Sequence, residues 1–247
     1  MCRLMGFVST KEKSLVEAAG AGFTEFAALS SHHKDGWGIA TCNENEHPAL
    51  LVEPTTASMS KSFEVATHRL QSTGALLHLR LATEGLNVTE GNTHPFTFSD
   101  YSFIHNGALK PPEPIIPFID RKFLVLRRGT TDSESYFYLI VTEVEQYGIE
   151  SGIKSAIKII QKQTDYSSIN AMFLTPDEFY IINEHHDEQI PSSEAADYYD
   201  LFYRADSSEI LVASSGWDQA GWTALPNHKL MKVDRKTLGI EISDLND

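Results

Sequence analysis

Cys2 is the residue whose type and position most directly suggest chemistry. If Met1 is removed, Cys2 becomes the first residue and carries both a thiol and a free α-amino group. Such a nucleophile is activated by its own amine, because the reference pKa values of amine and thiol, about 8 and about 8.5, both lie near neutrality. The alternative is that Cys2 is a small apolar residue in a buried strand.

Four further stretches combine residues that suit a catalytic or binding site. They are HKDGWGIA (33–40), HLRLATEGLNVTEGNTHPF (78–96), FIHNGALK (103–110) and GTTDSES (129–135). Each also has a purely structural interpretation. Asn106-Gly107 is a strong signal for a two-residue hairpin turn. Thr131 or Asp132 suits the N-cap of a helix.

Taken together, these residues suit acyl transfer on an amino acid. The amide of Asn106 and the backbone N–H of Gly107 supply two donors for an oxyanion. If the substrate is an amino acid, Arg80 offers a planar donor for its carboxylate, and Asp132 offers an anion for its ammonium group. Glutamine fits such a site. Taken singly, Arg80 is better explained as a surface arginine on a strand.

The elements that must position these residues are mostly strands. Short runs rich in β-branched and aromatic residues predict strands at 3–8, 36–41, 49–53, 75–82, 101–106, 169–174, 178–183, 209–214, 229–234 and 239–243. Helical periodicity predicts helices at 14–29, 61–72, 132–148 and 153–163. Because the strands follow one another instead of alternating with helices, a doubly wound parallel sheet is disfavoured. Sheets with helices packed outside them are favoured.

Composition restricts the class of protein. The chain has 247 residues, of which 41% are hydrophobic, and we expect a single domain over 1–247. Its net charge of −14 disfavours binding to nucleic acid or to an anionic membrane. The sequence shows no apolar run long enough to span a membrane and no secretory signal, and it contains two cysteines, so a cytoplasmic protein is expected.

Several other features receive structural interpretations. The paired histidines His32-His33 and His185-His186 lack a ligand set at metal-binding spacing, so no metal is predicted, and no nucleotide fingerprint indicates another cofactor. We expect Cys42 to be a buried apolar residue. His94 and His105 are expected to support the site through hydrogen bonds, Trp217 and Trp222 to make core or flap contacts, and the proline-rich segment 110–118 to form an ordered excursion.

Five motifs in order resemble the class II glutamine amidotransferase domain of the N-terminal nucleophile hydrolases. They are Cys2, RLAT (80–83), NTHPF (92–96), HNG (105–107) and TDSE (131–134). The resemblance extends from residue 2 to about residue 140 and continues more weakly to the end. The segment KDGWGIA (34–40) is similar in particular to stand-alone members of the family.

This resemblance implies an α+β fold, a four-layer αββα sandwich of two facing antiparallel sheets. It implies that Cys2 attacks the δ-carbonyl of glutamine to form a thioester, with Asn106 and Gly107 holding the oxyanion. It also implies that Arg80 and Asp132 bind the α-carboxylate and α-ammonium groups. The backbone of Leu81, Ala82 and Thr83 would line the same pocket.

The sequence departs from the family pattern at two places. Glu84 stands where many synthase-linked members carry histidine, and Ser215-Gly216-Trp217 stands where stand-alone members often carry Pro-Leu.

Three functions stay open. They are a hydrolase of glutamine or another γ-glutamyl amide, a glutaminase subunit that delivers ammonia to a separate synthase, and a non-catalytic relative that binds a partner.

Overall fold

Two antiparallel sheets face one another in this protein, with helices on their outer surfaces. The computed structural model describes residues 2–43 and 47–246. Its seven-stranded sheet and six-stranded sheet confirm the predicted α+β sandwich. In chain order the strands are β1 (Arg3–Lys13), β2 (Trp37–Thr41), β3 (Ala49–Glu53), β4 (Ser72–Leu79), β5 (Phe96–Phe98), β6 (Tyr101–Lys110), β7 (Asp165–Leu174), β8 (Glu178–Asn183), β9 (Leu201–Ala205), β10 (Glu209–Ser214), β11 (Thr223–Ala224), β12 (Lys229–Asp234) and β13 (Ile240–Asp244).

The strand order explains how the two sheets are arranged. The seven-stranded sheet runs β11-β9-β10-β1-β4-β2-β3, and the six-stranded sheet runs β13-β12-β8-β7-β6-β5. Strand β1, which follows the candidate nucleophile, is therefore a central strand, hydrogen-bonded to β10 on one side and to β4 on the other. Strands β3 and β5 are edge strands of their respective sheets.

Alternation along the strands produces three hydrophobic layers. Met5 and Phe7 of β1 pack against the helices outside the seven-stranded sheet. Leu4 and Val8 point the other way and pack against the six-stranded sheet, where Ile104 belongs to the same cluster. A third cluster joins the six-stranded sheet to its own helices. The resulting order of layers is helix, sheet, sheet, helix.

Six α-helices are present in the described residues, namely α1 (Leu15–Ala19), α2 (Phe23–Ala28), α3 (Lys61–Arg69), α4 (Arg121–Leu124), α5 (Asp132–Tyr147) and α6 (Ile149–Gln163). Helix α5 matches its prediction closely. The side chain of Thr131 caps its first turn by accepting from the N–H of Glu134, and Gly148 follows its last residue with φ of 80°. None of the helices in the described ranges is long and apolar enough to cross a membrane.

Some predicted elements differ from the structure. The single helix predicted over 14–29 is interrupted by a 3₁₀ turn at Gly20–Gly22, because Gly20 adopts φ of 61°. The helix predicted over 61–72 ends at Arg69, and strand β4 begins at Ser72. Three short strands, β5, β9 and β11, were not predicted. The proline-rich segment 110–118 is ordered, with a 3₁₀ helix at Glu113–Phe118.

Candidate active site

The structure brings the predicted site residues together at one small cavity, which we call the thiol cavity. Its volume is about 30 Å³. It is lined by Cys2, Arg80, Leu81, Ala82, Thr83, Leu86, Asn92, His94, His105, Gly107, Thr131, Asp132 and Ser133. Every site residue predicted from the sequence is in this set except Asn106. Four chain segments that are distant in sequence therefore meet at the candidate nucleophile.

Cys2 lies immediately before β1 and is half-buried. Its Sγ lies 3.6 Å from the carbonyl oxygen of Leu81, and burial raises the pKa of the Cys2 thiol. At neutral pH the group is therefore a thiol, which needs a base to become a nucleophile. The predicted removal of Met1 concerns a residue outside the described part of the chain.

Arg3 anchors the backbone of Cys2, a contact that sequence reasoning missed. Its Nη1 donates to the carbonyl oxygens of Cys2, at 3.4 Å, and of Tyr198, at 3.2 Å. The guanidinium also lies 4.5 Å from the centroid of the Tyr198 ring. Arg3 and Tyr198 are 195 positions apart. No short motif predicts such a contact. The one available signal was the presence of an arginine in the otherwise apolar strand segment RLMGFV (3–8).

Asn106 is buried inside β6, so the alternative of a hairpin turn at Asn106-Gly107 was wrong. By the alternation of β6, its side chain points into the space between the sheets, as Ile104 does. Neither its Oδ1 nor its Nδ2 has a hydrogen-bond partner within residues 2–43 and 47–246. Because a buried amide is normally hydrogen-bonded, this one is available for a ligand.

Gly107 is required by the contact between strands β6 and β7. A Cβ added to Gly107 would lie 1.6 Å from the carbonyl oxygen of Ser168. The pairing of β6 with β7 is irregular between Gly107 and Leu109, which is typical of a β-bulge. The prediction attributed this glycine to close approach of a substrate, whereas the structure adds a reason in the packing of the neighbouring strand.

Arg80 is buried, with only 3% of its surface exposed, so the alternative of a surface arginine was wrong. Its Nη1 lies 3.4 Å from the carbonyl oxygen of Asp35, and its Nη2 donates to that of Asn87 at 3.2 Å. The carboxylate of Asp35 instead accepts from the backbone N–H of Ala82 at 2.8 Å. Arg80 forms no ion pair within the described ranges. A buried guanidinium held only by carbonyl groups is suited to receive a carboxylate.

Asp132 is the first residue of α5, and one of its two carboxylate oxygens already accepts a close hydrogen bond. Its Oδ2 accepts from the backbone N–H of Leu109 at 2.8 Å. Its Oδ1 has a longer contact with the hydroxyl of Ser133, at 3.5 Å. One carboxylate oxygen therefore supports the bulge in β6, while the other faces a weaker partner and can accept from a ligand.

Three buried histidines lie beside the thiol cavity. The rings of His78 and His94 stack with centroids 4.1 Å apart. Burial lowers the pKa of His78 to about 3 and holds those of His94 and His105 below the usual value, so all three are neutral near pH 7.

The predicted supporting role through hydrogen bonds fits His105, whose Nδ1 lies 2.9 Å from Ser133 Oγ. It was wrong for His94, which packs by stacking and has no hydrogen-bond partner in the described parts of the chain. Within those same parts, no group of three or more metal-ligating side chains is suitably placed for a metal ion.

Cys42 and the two late tryptophans lie away from the thiol cavity. Cys42 is fully buried, and its sulfur lies 3.2 Å from Nη1 of Arg235. Trp217 and Trp222 are partly buried and pack against the hydrophobic cluster outside the seven-stranded sheet. These placements agree with the structural interpretations of all three residues.

Comparison with known proteins identifies the family. Residues 1–172 match the sequence model of the class-II glutamine amidotransferases, and the chain belongs to this family. Among curated relatives, a putative glutamine amidotransferase of Haemophilus influenzae is 32% identical over 142 residues, which are 56% of this chain and 46% of that protein. A probable glutamine amidotransferase of Saccharomyces cerevisiae is 27% identical over 125 residues, 47% of this chain and 35% of that protein. The matched region is therefore less than half the length of either relative.

Solved structures extend the similarity to the whole fold. A glutamine aminotransferase class-II domain protein from Silicibacter pomeroyi superposes with a TM-score of 0.70 at 19% identity, covering 98% of this chain and 99% of the other. The glutamine phosphoribosylpyrophosphate amidotransferase of B. subtilis superposes with a TM-score of 0.66 at 14% identity, covering 99% of this chain and 49% of the other. At these identities the comparison supports the fold alone.

Proposed function

We propose that this protein cleaves the γ-amide of glutamine, or of a related γ-glutamyl compound, through a thioester on Cys2, and releases ammonia or an amine. The observation that carries the proposal is the convergence of Cys2, Arg80, Gly107 and Asp132 on one cavity in a chain of the class-II family. A non-catalytic relative would have no need to keep a thiol, a buried arginine and a carboxylate around the same cavity.

The acylation step begins at the thiol. Once Met1 is removed, the α-amine of Cys2 takes the thiol proton, and the thiolate attacks the δ-carbonyl carbon. The developing oxyanion accepts hydrogen bonds from Nδ2 of Asn106 and the backbone N–H of Gly107. The protonated amine then gives its proton to the leaving nitrogen, the C–N bond breaks, and a γ-glutamyl thioester remains.

Hydrolysis reverses the roles of the same groups. The α-amine of Cys2 takes a proton from a water molecule, whose oxygen attacks the thioester carbon within the same oxyanion site. The C–S bond breaks, and the thiolate recovers the proton. The products are glutamate and the free thiol, so the protein returns to its starting state.

Substrate selection rests on the two charged groups across the cavity. The Arg80 guanidinium pairs with the α-carboxylate, and Oδ1 of Asp132, whose contact with Ser133 is long, accepts from the α-ammonium group. A cavity of about 30 Å³ holds about two water molecules rather than glutamine. We therefore infer that the irregular segment 83–89, which contributes Leu86 to the lining, moves when substrate enters.

The proposal is tested by comparing the two cysteines. Cys2→Ala and Cys42→Ser are purified beside the parent, and ammonia release from glutamine is measured together with intact mass. We expect the parent to lack the initiator methionine and to carry a γ-glutamyl adduct after acid quenching. Cys2→Ala should show neither adduct nor turnover, whereas Cys42→Ser, altered outside the thiol cavity, should show both. Turnover by Cys2→Ala at the parent rate would refute the proposal.

A second candidate is a glutaminase subunit that passes ammonia to a separate synthase. It is favoured by the B. subtilis amidotransferase, in which this fold accounts for 49% of a longer chain. The candidates differ in the behaviour of the isolated protein. A hydrolase releases ammonia at full rate alone, whereas a delivery subunit has low turnover until its synthase is added.

A further inference from the structure

A second cavity, which we call the edge cleft, lies where the two sheets end on the same side of the sandwich. Its volume is about 290 Å³. Leu50 and Val52 of the edge strand β3 form one side, and Pro95, Phe96 and Thr97 in and beside the edge strand β5 form another. The cleft therefore has apolar walls and is large enough for a small organic molecule.

One short stretch of chain, residues 91–94, contributes to both the edge cleft and the thiol cavity. Gly91 and Thr93 line the cleft, whereas Asn92 and His94 line the thiol cavity, along a segment that begins with a 3₁₀ turn at Glu90–Asn92. The backbone at Gly129 packs tightly on it, since a Cβ there would lie 2.2 Å from the carbonyl oxygen of Gly91. The two cavities are thus distinct places separated by a single layer of chain.

Two opposite charges at the edge cleft have no partner. Arg128 and Glu90 both line it and are exposed, and the side chain of neither forms a hydrogen bond or ion pair with any residue that the structure describes. A third charged residue, Glu134, already has partners within the protein. Its carboxylate accepts hydrogen bonds from the backbone N–H groups of Arg128 at 2.7 Å and Gly129 at 2.8 Å. The cleft therefore offers one free cation, one free anion and an apolar wall.

We propose that the edge cleft binds a free α-amino acid with an apolar side chain, at a site separate from the thiol cavity. An α-amino acid carries a carboxylate and an ammonium group on one carbon, which matches Arg128 and Glu90 on adjoining segments. The guanidinium holds the carboxylate through two parallel hydrogen bonds. The side chain of the ligand packs against Val52 and Phe96. Neither charged residue belongs to the proposed catalytic machinery.

Calorimetry on the full chain with L-leucine as the probe tests this proposal. Two matched compounds remove one charge each, since 4-methylpentanoate lacks the ammonium group and 3-methylbutylamine lacks the carboxylate. We expect leucine to bind and each analogue to bind at least about tenfold more weakly, as the loss of hydrogen bonds to a charged group usually causes. Arg128→Gln and Glu90→Gln should each weaken leucine binding by a similar factor.

Two further variants locate the binding. Arg121→Gln changes an exposed arginine of α4 that does not line the cleft, and it should bind leucine as the parent does. Arg80→Lys alters the thiol cavity and should also leave leucine binding unchanged, while Arg128→Gln should keep glutamine turnover. Leucine binding that disappears in Arg80→Lys but survives in Arg128→Gln would overturn the proposal by placing the ligand in the thiol cavity. Absence of any binding heat with the parent would overturn it as well.

Discussion

Asp132 has one observed contact and one proposed role, and two substitutions distinguish them. Its Oδ2 accepts from the buried backbone N–H of Leu109 at 2.8 Å, and its other oxygen is proposed to hold the substrate ammonium group. Asp132→Asn keeps an oxygen that can accept from Leu109 but removes the negative charge. Asp132→Ala removes both the acceptor oxygen and the negative charge. It therefore leaves the N–H of Leu109, a residue with only 4% of its surface exposed, without an acceptor.

The magnitudes follow from these contacts. An unsatisfied buried donor costs about 1–3 kcal/mol, and each kcal/mol lowers Tm by about 2–4 °C in a chain of this size. We therefore expect Asp132→Ala to melt roughly 2–12 °C below the parent and Asp132→Asn to melt close to it. Loss of a charged hydrogen-bond partner should raise KM for glutamine about tenfold or more in both variants.

The assay combines thermal unfolding with steady-state release of ammonia from glutamine. The expected pattern is an unchanged Tm with a raised KM for Asp132→Asn, and changes in both quantities for Asp132→Ala. If Asp132→Asn processes glutamine like the parent, Asp132 does not contact the ammonium group. If both variants lose the same amount of stability, the bond to Leu109 is not the source of the structural effect.

Four other outcomes are expected. Asn106→Ala should lower kcat about a hundredfold with little change in KM, whereas a raised KM at constant kcat would assign Asn106 to ground-state binding. Arg80→Lys should raise KM for glutamine although charge is kept, since an ammonium group cannot form two parallel bonds to a carboxylate, and parent-like kinetics would contradict this. Gly107→Ala should lower the free energy of unfolding in urea by at least about 1–3 kcal/mol, because its Cβ must displace the carbonyl oxygen of Ser168, and an unchanged midpoint would refute that contact. The free energy of unfolding should fall as pH drops below about 6.5, because His78 is protonated there in the unfolded chain but, with a pKa of about 3, stays neutral in the folded protein. At pH 5 the expected loss of stability is about 2 kcal/mol. A Tm that stays constant between pH 7 and pH 5 would contradict this.

The sequence predicted the bounds of an element well where residues at its own ends determine them. Thr131 and Gly148 mark both ends of α5, and the prediction of 132–148 differs from the observed Asp132–Tyr147 by one residue. Asn106-Gly107 shows the limit of such signals. The same dipeptide that favours a hairpin turn lies inside β6, because the neighbouring strand β7 and the bulge after Gly107 determine its conformation.

The candidate site was predictable as a set of motifs but not as a set of contacts. The stretches containing Cys2, Arg80, Gly107 and Asp132 could be recognised from residue type and order, and the structure places them at one cavity. The bond from Asp132 to Leu109 has no sequence signature, because it depends on how helix α5 meets the bulge. The edge cleft could not be predicted from the sequence either. It forms between β3 and β5, edge strands of different sheets, and their proximity depends on how the two sheets pack.

The position of β1 in its sheet has a consequence for synthesis of the chain. Strand β1 is made first, and β4 follows early, but its other neighbour β10 spans Glu209–Ser214. A ribosome must therefore translate most of the chain before the strand that follows Cys2 is paired on both sides. During that interval the nascent protein exposes an unpaired strand edge next to Cys2. Premature termination before β10 should thus yield a product that is inactive and prone to association through that edge.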